Sequence, residues 1–401
     1  MRTNQKEKIN FVISTLSGGG AQRVVSVLSF ALGHKYDFYI TLHDSSRINY
    51  PYDGRMIDLG IPVDNLLIKK FYNAFRRVLA LNRVKKQLKA KATISFMESS
   101  NFINILSGKV NKTIISVRNH KSKRKSTFTG KVFNYLIKKL YNRSDHIVAA
   151  SQGIKQNLIV NFGINCEVIK VIHNPYNIKE ISNHAKEKIE GKYAKIFSRP
   201  VIITSGRLCK QKGQWHLIRA FKEVKRIIPE AVLVILGTGE LKPLLEDYVQ
   251  RVDLKDHVYL LGFKSNPHKF VANSNIFAFP SLYEGFPNAL VEAMACEVPI
   301  VSSDCRSGPR EILAPSTNYM YQTKEIEMAK YGVLTPVCSG IIMDPEVPLS
   351  REETLLAEAI TSLLKVEELA NTYRKQSIAR VNDYDVSIIA EQWINLIDSQ
   401  S

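Results

Sequence analysis

Long apolar runs, paired cysteines and internal repeats are all missing from this sequence of 401 residues. Because no run reaches about 18 apolar residues, we expect no helix that spans a bilayer. The five cysteines are scattered without a CxxC pair, which favours reduced thiols in a cytoplasm over a disulfide framework or a zinc site. No small-residue cleavage site follows the first short apolar stretch, so we also expect no signal peptide.

Acidic residues are almost missing from one region, residues 69–143, which holds 20 lysines and arginines and the single acid Glu98. The whole chain has 56 Lys and Arg against 37 Asp and Glu, a net charge of +19, and this region alone also carries +19. The remaining residues therefore balance to zero. The excess positive charge is therefore concentrated in this one region and is not spread over the whole chain.

Two basic blocks with interleaved aromatic residues, 69–91 and 120–143, carry most of this charge. Such amphipathic segments are typical of anionic membrane surfaces, where each cation contributes on the order of 1 kcal/mol. Nucleic acid is the competing partner for a basic patch. Because no RNA- or DNA-binding motif accompanies this patch, we expect no nucleic-acid partner. The residues predicted to form a membrane or diphosphate patch are Lys85, Lys86, Lys121, Lys123, Arg124 and Lys125.

Strand-like and helix-like segments alternate along the chain, which indicates doubly wound parallel sheets of the α/β class. The strand candidates are 8–15, 37–42, 92–96, 113–117, 146–150, 168–172, 201–206, 231–237, 257–262, 275–281 and 299–303. A single core stops growing at about 250–300 residues, so we predict two domains that face a ligand cleft. The predicted boundaries are a first domain over 1–177, a linker over 178–198, a second domain over 199–385 and a C-terminal helix over 386–401.

Glycines and cations follow two predicted strands at their carboxyl ends, where doubly wound sheets bind ligands. Residues 17–20 read SGGG before a helix, whose N-terminus favours an anion, although a plain tight turn is the simpler explanation. In the loop 206–213, Arg207 suits a diphosphate as a bidentate fork and Lys212 suits it as a point charge. The alternative for this second loop is a solvated basic surface.

The strongest motif is PSLYEGFPNALVEAMA at residues 280–295. Pro287 suits the first turn of a helix, so the backbone amides that follow it point to a phosphate. Glu284 precedes this helix and Glu292 lies within it. Because carboxylates repel phosphate, we interpret these two residues as acceptors for sugar hydroxyls. The amides concerned are those of Asn288, Ala289 and Leu290.

The Glu284-x7-Glu292 spacing, the loop with Arg207 and Lys212, and the N-terminal SGGGAQRV resemble the retaining glycosyltransferases of family 4, which have the GT-B fold. The likeness covers nearly the whole chain, including the pattern of bacterial enzymes that build capsule, O-antigen, exopolysaccharide and lipid-linked oligosaccharides. It implies two Rossmann-like domains, the first for the acceptor and the second for a UDP-sugar. It also implies a final helix, containing Trp393, that packs on the first domain.

The resemblance further implies roles for single residues. Arg207 and Lys212 bind the donor diphosphate and stabilise the leaving phosphate, and with Glu284 they form the catalytic group. Glu284 holds hydroxyls of the transferred sugar, while Glu292 holds the ribose. The donor-binding residues implied are Gly19, Gly20, Asn288, Ala289, Leu290 and Glu292.

The resemblance implies same-face attack on the sugar, in which a donor phosphate oxygen accepts the proton of the acceptor. No dedicated protein base is then needed. We expect no metal cofactor, because cations and helix N-termini stabilise the departing UDP. The sequence Asp383-Tyr384-Asp385 is a DxD far from the donor motifs, and we interpret it as a helix cap.

Two departures from the family pattern concern the first domain. Gln22 stands where the family often has Glu, which leaves the role of that position open. Many members carry a histidine in the loop where this chain has Arg118, Asn119 and His120. We therefore regard these three residues as candidates for contact with the sugar or the acceptor.

The sequence thus predicts a retaining, metal-independent hexosyltransferase or N-acetylhexosaminyltransferase. Its expected partners are a UDP-sugar donor, a glycan acceptor on a polyprenyl diphosphate, and an anionic membrane surface. The expected location is cytoplasmic, attached peripherally to the inner face of the plasma membrane. The alternatives are a nucleotide-sugar 2-epimerase of the same fold, which needs acid and base residues not evident in the first half, and a non-catalytic basic protein that binds nucleic acid.

Overall fold

The computed structural model describes residues 6–62, 67–119 and 128–400, and the chain divides into two compact units. The first unit comprises Met1–Tyr176 and Tyr384–Ser401, and the second comprises Asn177–Asp383. No helix within the described ranges is both long enough and apolar enough to cross a membrane.

The first unit contains one sheet with helices between its strands. Its strands are β1 (Lys8–Ile13), β2 (Asp37–Leu42), β3 (Arg55–Asp58), β4 (Ala92–Phe96), β5 (Lys112–Val117), β6 (His146–Ala149) and β7 (Ile169–Val171). Its first helices are α1 (Gly20–Leu32), α2 (Leu67–Leu88), α3 (Glu98–Leu106), α4 (Phe128–Leu140) and α5 (Gln152–Phe162). All neighbouring strands are parallel, in the order β3-β2-β1-β4-β5-β6-β7.

The second unit repeats this plan. Its strands are β8 (Val201–Ser205), β9 (Val232–Leu236), β10 (Val258–Gly262), β11 (Ile276–Phe279), β12 (Ile300–Ser303), β13 (Glu327–Ala329) and β14 (Gly332–Thr335). Its helices are α6 (Ile178–Ala185), α7 (Ala194–Phe197), α8 (Gln214–Ile227), α9 (Lys242–Arg251), α10 (His268–Ala272), α11 (Asn288–Ala295), α12 (Pro309–Leu313), α13 (Arg351–Lys365) and α14 (Glu367–Val381). The strand order is β10-β9-β8-β11-β12-β14-β13, and only the β13–β14 pair is antiparallel among these described strands.

The last helix, α15 (Val386–Asp398), lies in the first unit. Its Trp393 is fully buried, with ring centroids 6.4 Å from Phe11 of β1 and 6.0 Å from Phe96 of β4. At the end of the helix, Asp398 forms ion pairs with Lys35 at 2.6 Å and with Lys91 at 2.8 Å. The end of the chain therefore completes the core formed by its beginning.

Both sheets are doubly wound, which confirms the predicted α/β class. Strand order reverses between β1 and β4 in the first sheet and between β8 and β11 in the second. In such sheets, ligands bind at the carboxyl ends of the strands beside the reversal point. The SGGG loop follows β1, and the loop with Arg207 and Lys212 follows β8, so each glycine loop lies at such a point.

Residues 178–198, which the sequence suggests are a linker, contain α6 and α7 and belong to the second unit. Ile181 on α6 is buried, and Asn266 donates to the carbonyl of His184 at 3.0 Å. This segment is polar because its helix buries only a narrow face. Its composition therefore resembles that of a linker although it is packed.

Candidate active site

The Lys212 ammonium and the Glu284 carboxylate form an ion pair in the second unit, with 2.7 Å between Nζ and Oε1. Lys212 ends the turn after β8, and Glu284 lies in the loop after β11. These neighbouring strands bring the two side chains together although they are 72 positions apart in sequence. The pair thus lies at the carboxyl edge of the sheet, beside the reversal point.

The surroundings of this pair hold both side chains in place and keep the Lys212 ammonium charged. Gln211 donates from Nε2 to Glu284 Oε2 at 3.1 Å, and Lys212 Nζ lies 5.1 Å from the centroid of the Phe279 ring. Burial alone lowers the pKa of Lys212, but the adjacent Glu284 carboxylate outweighs it and raises this pKa above its ordinary value. The ammonium is therefore a permanent positive charge on a restrained side chain.

Backbone contacts join the two loops that carry the pair. Leu282 donates its amide to the Gln211 carbonyl at 2.8 Å. Gly213 has a φ of 62°, and a Cβ there would lie only 2.5 Å from the Pro280 carbonyl oxygen. Glycine is therefore required at this position for both its conformation and the close approach of the loops.

A third loop, which follows β12, fixes the backbone around Glu284. The Glu284 amide donates to the Arg306 carbonyl at 2.9 Å, and the Ser307 amide donates to the Glu284 carbonyl at 2.9 Å. The Ser307 hydroxyl donates to the Gly285 carbonyl at 2.8 Å. Gly308 has a φ of 106°, and a Cβ at this residue would collide with the Pro287 ring. These contacts hold the start of α11 against this third loop.

Helix α11 begins at Asn288, and Pro287 precedes it in an extended conformation instead of lying in its first turn. The Leu290 amide donates to the Pro287 carbonyl at 3.2 Å. The first turn of the helix thus engages this amide. The donor-binding role of Asn288, Ala289 and Leu290 stays a prediction.

In the first unit, Gly18 and Gly19 adopt positive φ values of 138° and 118° before α1. A Cβ on Gly19 would lie 2.8 Å from Oε1 of Gln22, which is buried beneath the loop. Nε2 of Gln22 also lies 3.7 Å from the sulfur of Met97. Gln22 thus packs between the glycine loop and the residue that follows β4, and this gives the position a structural role.

Two family models together match most of the chain, Glycosyltransferase Family 4 over residues 18–180 and Glycosyl transferases group 1 over residues 185–334. An uncharacterized glycosyltransferase of Methanocaldococcus jannaschii is 37% identical over 292 residues, which cover 72% of each chain. The chain belongs to the GT-B glycosyltransferases.

Two further likenesses extend over nearly all of this glycosyltransferase. The N-acetylgalactosamine-N,N'-diacetylbacillosaminyl-diphospho-undecaprenol 4-alpha-N-acetylgalactosaminyltransferase of Campylobacter jejuni is 27% identical over 392 residues, covering 96% of this chain and 97% of that relative. The crystal structure of Anabaena HepE in complex with UDP matches with a TM-score of 0.74 at 18% identity, covering 98% of this chain and 100% of HepE. The second likeness shows the shared fold.

Arg207 of the glycosyltransferase follows β8, as predicted, but it is exposed. Its guanidinium lies 3.4 Å from the carboxylate of Glu240, so its ion-pair partner among the described residues is not Glu284. The structure therefore brings Lys212 and Glu284 together and leaves Arg207 outside their pair.

The predicted contact residues of the first unit have different surroundings. Arg118 donates to Ser116 Oγ at 2.7 Å and to Asn174 Oδ1 at 2.6 Å, and it lies over the rings of Phe96 and Trp393. This packing gives Arg118 structural partners within the first unit, and its contact with the sugar or the acceptor stays a prediction. Asn119 is exposed. His120 lies outside the described residues.

Lys85 was predicted to be part of the basic surface patch, and this prediction is wrong. Its side chain is fully buried, and Nζ donates to the carbonyls of Asn104 at 2.8 Å and Gly108 at 3.0 Å. The ammonium thus satisfies backbone acceptors at the end of α3, on the inner face of α2. Lys86, one residue on, is exposed. The remaining patch residues, Lys121, Lys123, Arg124 and Lys125, lie outside the described residues.

The structure also identifies side chains that the motifs do not single out. Gln211 orients Glu284, and His268 has its Nε2 atom 3.7 Å from Glu292 Oε2. Gln211 could have been found from its place beside Lys212 in the loop. His268 is 24 positions from Glu292, and no sequence spacing signals that the two meet.

The DxD sequence is a helix cap, as predicted. Asp385 accepts a hydrogen bond from the Ser387 amide at 3.0 Å at the start of α15. Asp383 pairs with Arg380 at 2.6 Å. Both carboxylates therefore have structural partners.

Proposed function

We propose that this glycosyltransferase moves a hexose or an N-acetylhexosamine from a UDP-sugar to a glycan acceptor with retention of configuration. The observation that carries this proposal is the Lys212–Glu284 ion pair of 2.7 Å at the carboxyl edge of the second sheet. A largely buried cation suits the donor diphosphate, and a buried carboxylate suits sugar hydroxyls. The same edge provides Glu292 for the ribose and the amides at the start of α11 for phosphate.

The proposed reaction breaks the bond between the anomeric carbon and the diphosphate oxygen. Negative charge grows on the departing UDP, and Lys212 and Arg207 stabilise it. The acceptor oxygen forms its bond to the anomeric carbon on the same face, and its proton passes to a phosphate oxygen of UDP. The proposal includes neither a protein base nor a metal ion, since cations and helix N-termini balance the charge.

Two similar proteins support the choice of donor and acceptor. HepE has been crystallised with UDP and with UDP-glucose. The name of the Campylobacter relative states a substrate on diphospho-undecaprenol and the transfer of N-acetylgalactosamine. We therefore propose a UDP-sugar as the donor and a glycan on a polyprenyl diphosphate as the acceptor.

UDP release from a panel of UDP-sugars, with and without a membrane lipid extract, tests this proposal. We expect lipid-dependent release with one sugar, reduced at least about 100-fold in both Glu284→Gln and Lys212→Ala, because each removes a charge that acts on the reacting groups. Lys222→Ala, an exposed lysine on α8, is the matched control and should retain full activity. Conversion of a UDP-sugar to its 2-epimer without any acceptor would instead indicate an epimerase.

The exposed face of α2 supports attachment to an anionic membrane. Large side chains recur at every fourth position on it and lie in solvent: the exposed fractions are 73% for Phe71, 61% for Phe75 and 45% for Leu79. Lys69, Lys70 and Arg76 are exposed beside them. Apolar and basic residues together on a solvent face are typical of helices that lie in a membrane interface. We propose that α2 attaches the enzyme to the inner leaflet near its lipid-linked acceptor.

Sedimentation with lipid vesicles tests this attachment. We expect binding to vesicles with anionic lipid at low salt and at least about 10-fold weaker binding to neutral vesicles, because Lys and Arg attract anionic headgroups. The double substitution Phe71→Ser with Phe75→Ser should weaken binding by a similar factor. Phe30→Ser, an exposed aromatic on α1, is the control. Equal binding to neutral vesicles would contradict the proposal.

A further inference from the structure

Three helices of the second unit, α6, α10 and α11, meet beside Glu292. The ring of His268, at the start of α10, stacks on the ring of His184 on α6, with centroids 6.0 Å apart and planes at 10°. On α11, Glu292 Oε2 lies 3.7 Å from Nε2 of His268. The predicted ribose-binding carboxylate therefore has a histidine pair next to it.

His268 is 93% buried, since only 7% of it is exposed, and neither ring nitrogen has a hydrogen-bond partner among the described residues. A neutral imidazole still carries one N–H, and a buried donor without a partner costs about 1–3 kcal/mol. Within the described chain, the acidic group in ion-pair range of this ring is Glu292. The ring nitrogen that faces it is thus the natural position of the N–H.

The backbone of His268 is fixed independently of its ring. Its amide donates to Asn266 Oδ1 at 3.1 Å, and its carbonyl accepts from the thiol of Cys296 at 3.7 Å. His184 covers the flat face of the imidazole. The ring therefore has little freedom to turn away from Glu292.

We propose that His268 is a positioning residue for donor binding. Its Nε2–H faces one oxygen of Glu292 across 3.7 Å and attracts that carboxylate electrostatically, so that the carboxylate meets the ribose hydroxyls of the nucleotide in a single orientation. This inference rests on the proposed function, specifically on the ribose role of Glu292. It assigns nucleotide affinity partly to a residue that contacts no part of the donor.

Calorimetric binding of UDP and of 2′,3′-dideoxy-UDP to the full chain tests the proposal. His268→Phe keeps the ring shape and removes the N–H, and we expect it to weaken UDP binding about 10-fold, as for loss of a polar interaction with a charged group. Binding of the dideoxy compound should not change. His268→Gln places an amide nitrogen near the position of Nε2 and should restore UDP affinity to within about threefold. His34→Phe, an exposed histidine, is the control.

Glu292→Gln separates the two proposals. This variant should bind UDP more weakly and should no longer prefer UDP over the dideoxy compound. Adding His268→Phe to it should cause no further loss of UDP affinity, because the effects of coupled residues are not additive. If Glu292→Gln binds UDP normally, the ribose role itself fails. The positioning role of His268 is overturned by either of two results. In the first, Glu292→Gln weakens UDP binding while His268→Phe does not. In the second, His268→Phe weakens the binding of both compounds equally.

Discussion

At the residue scale, the Glu284 carboxylate is held from two sides, by Lys212 at 2.7 Å and by Gln211 at 3.1 Å. Gln211→Ala removes the uncharged hydrogen-bond donor to Glu284 and leaves the ion pair with Lys212. We expect kcat/KM to fall about 10-fold, since a hydrogen bond to a charged group contributes about 1.5–3 kcal/mol. Steady-state kinetics measures this effect, and Gln250→Ala, an exposed glutamine on α9, is the control. Unchanged kinetics would show that Lys212 alone positions the carboxylate.

Lys85 gives a prediction about pH. Burial lowers its pKa to about 8, against a partly opposing effect of Asp145. An unfolded lysine titrates near about 10.4, so between these values the unfolded chain holds a proton that the folded chain has lost. The free energy of unfolding should therefore rise from pH 8 to about 10.4, by up to about 3 kcal/mol.

Denaturation across this pH range measures the effect, with Lys85→Met as the comparison. The variant should lack the rise that is specific to Lys85. Parallel curves for the two proteins would mean that the ammonium is not desolvated.

Lys85 and Lys212 also show what a sequence tells about single residues. The loop position and charge of Lys212 pointed to the candidate site, and the structure brings it to Glu284. For Lys85, the dense basic pattern hid the fact that one lysine of α2 lies on the inner face of the helix. The hydrogen-bond acceptors available to a lysine on the inner face of a helix depend on the element that the helix packs against, here the end of α3. Local sequence does not contain that information.

At the element scale, Gly308 lies directly before α12 and packs against Pro287, the residue that precedes α11. Its φ of 106° and its contact with Pro287 leave no room for a methyl group. We expect Gly308→Ala to displace the start of α11 and to lower kcat/KM by about 10-fold or more, as small displacements at reacting groups do. Gly262→Ala, where a Cβ meets nothing within 4 Å, is the control for the backbone strain of positive φ. Equal activity of the two variants would contradict this account.

Helix α13 is fixed by Glu353, which accepts from Arg219 at 2.9 Å and lies 2.7 Å from His216 Nδ1. Burial alone raises the pKa of Glu353, but hydrogen bonds with His216 and Arg219 outweigh it and lower the pKa to about 2. An unfolded glutamate titrates near about 4.3, so this stabilisation is complete above that pH and is lost as the pH falls towards 2.

Glu353→Gln should lower the free energy of unfolding of the second unit by about 3–5 kcal/mol at neutral pH, because it leaves a buried cation without its counter-ion. Between about pH 4.3 and 2, the wild type should lose more stability than the variant. Thermal melts over this pH range are the measurement. A variant with the same pH dependence as the wild type would refute the assignment.

The strands show which elements sequence patterns reveal. All eleven predicted strands are present, because buried parallel strands read as short β-branched runs. The patterns missed β3, β13 and β14, which lie at or next to the sheet edges. Strand β3 is largely exposed, and β13 has three residues. Short edge strands contain too few apolar residues to be recognised from sequence. They form because they pair with neighbouring strands of the sheet.

At the scale of the whole molecule, the end of the chain is part of the core of the first unit. Trp393 is fully buried between Phe11 and Phe96. We expect Trp393→Ala to destabilise the first unit by about 3–5 kcal/mol, the usual cost of a large cavity. Calorimetry should show a lower melting temperature for one transition and an unchanged one for the second unit. Trp215→Ala should affect the second unit instead.

The ion pair of Lys212 and Glu284 has a consequence for selectivity. The two opposite charges largely cancel each other, so the pair at the carboxyl edge of the sheet attracts neither a bare anion nor a bare cation strongly. A bare phosphate that draws Lys212 away leaves Glu284 as an uncompensated buried charge, and that costs several kcal/mol. A molecule that offers phosphate and hydroxyl groups together replaces both partners at once. If the pair binds the donor as proposed, its neutrality disfavours the abundant simple anions of a cell before any part of a sugar is recognised.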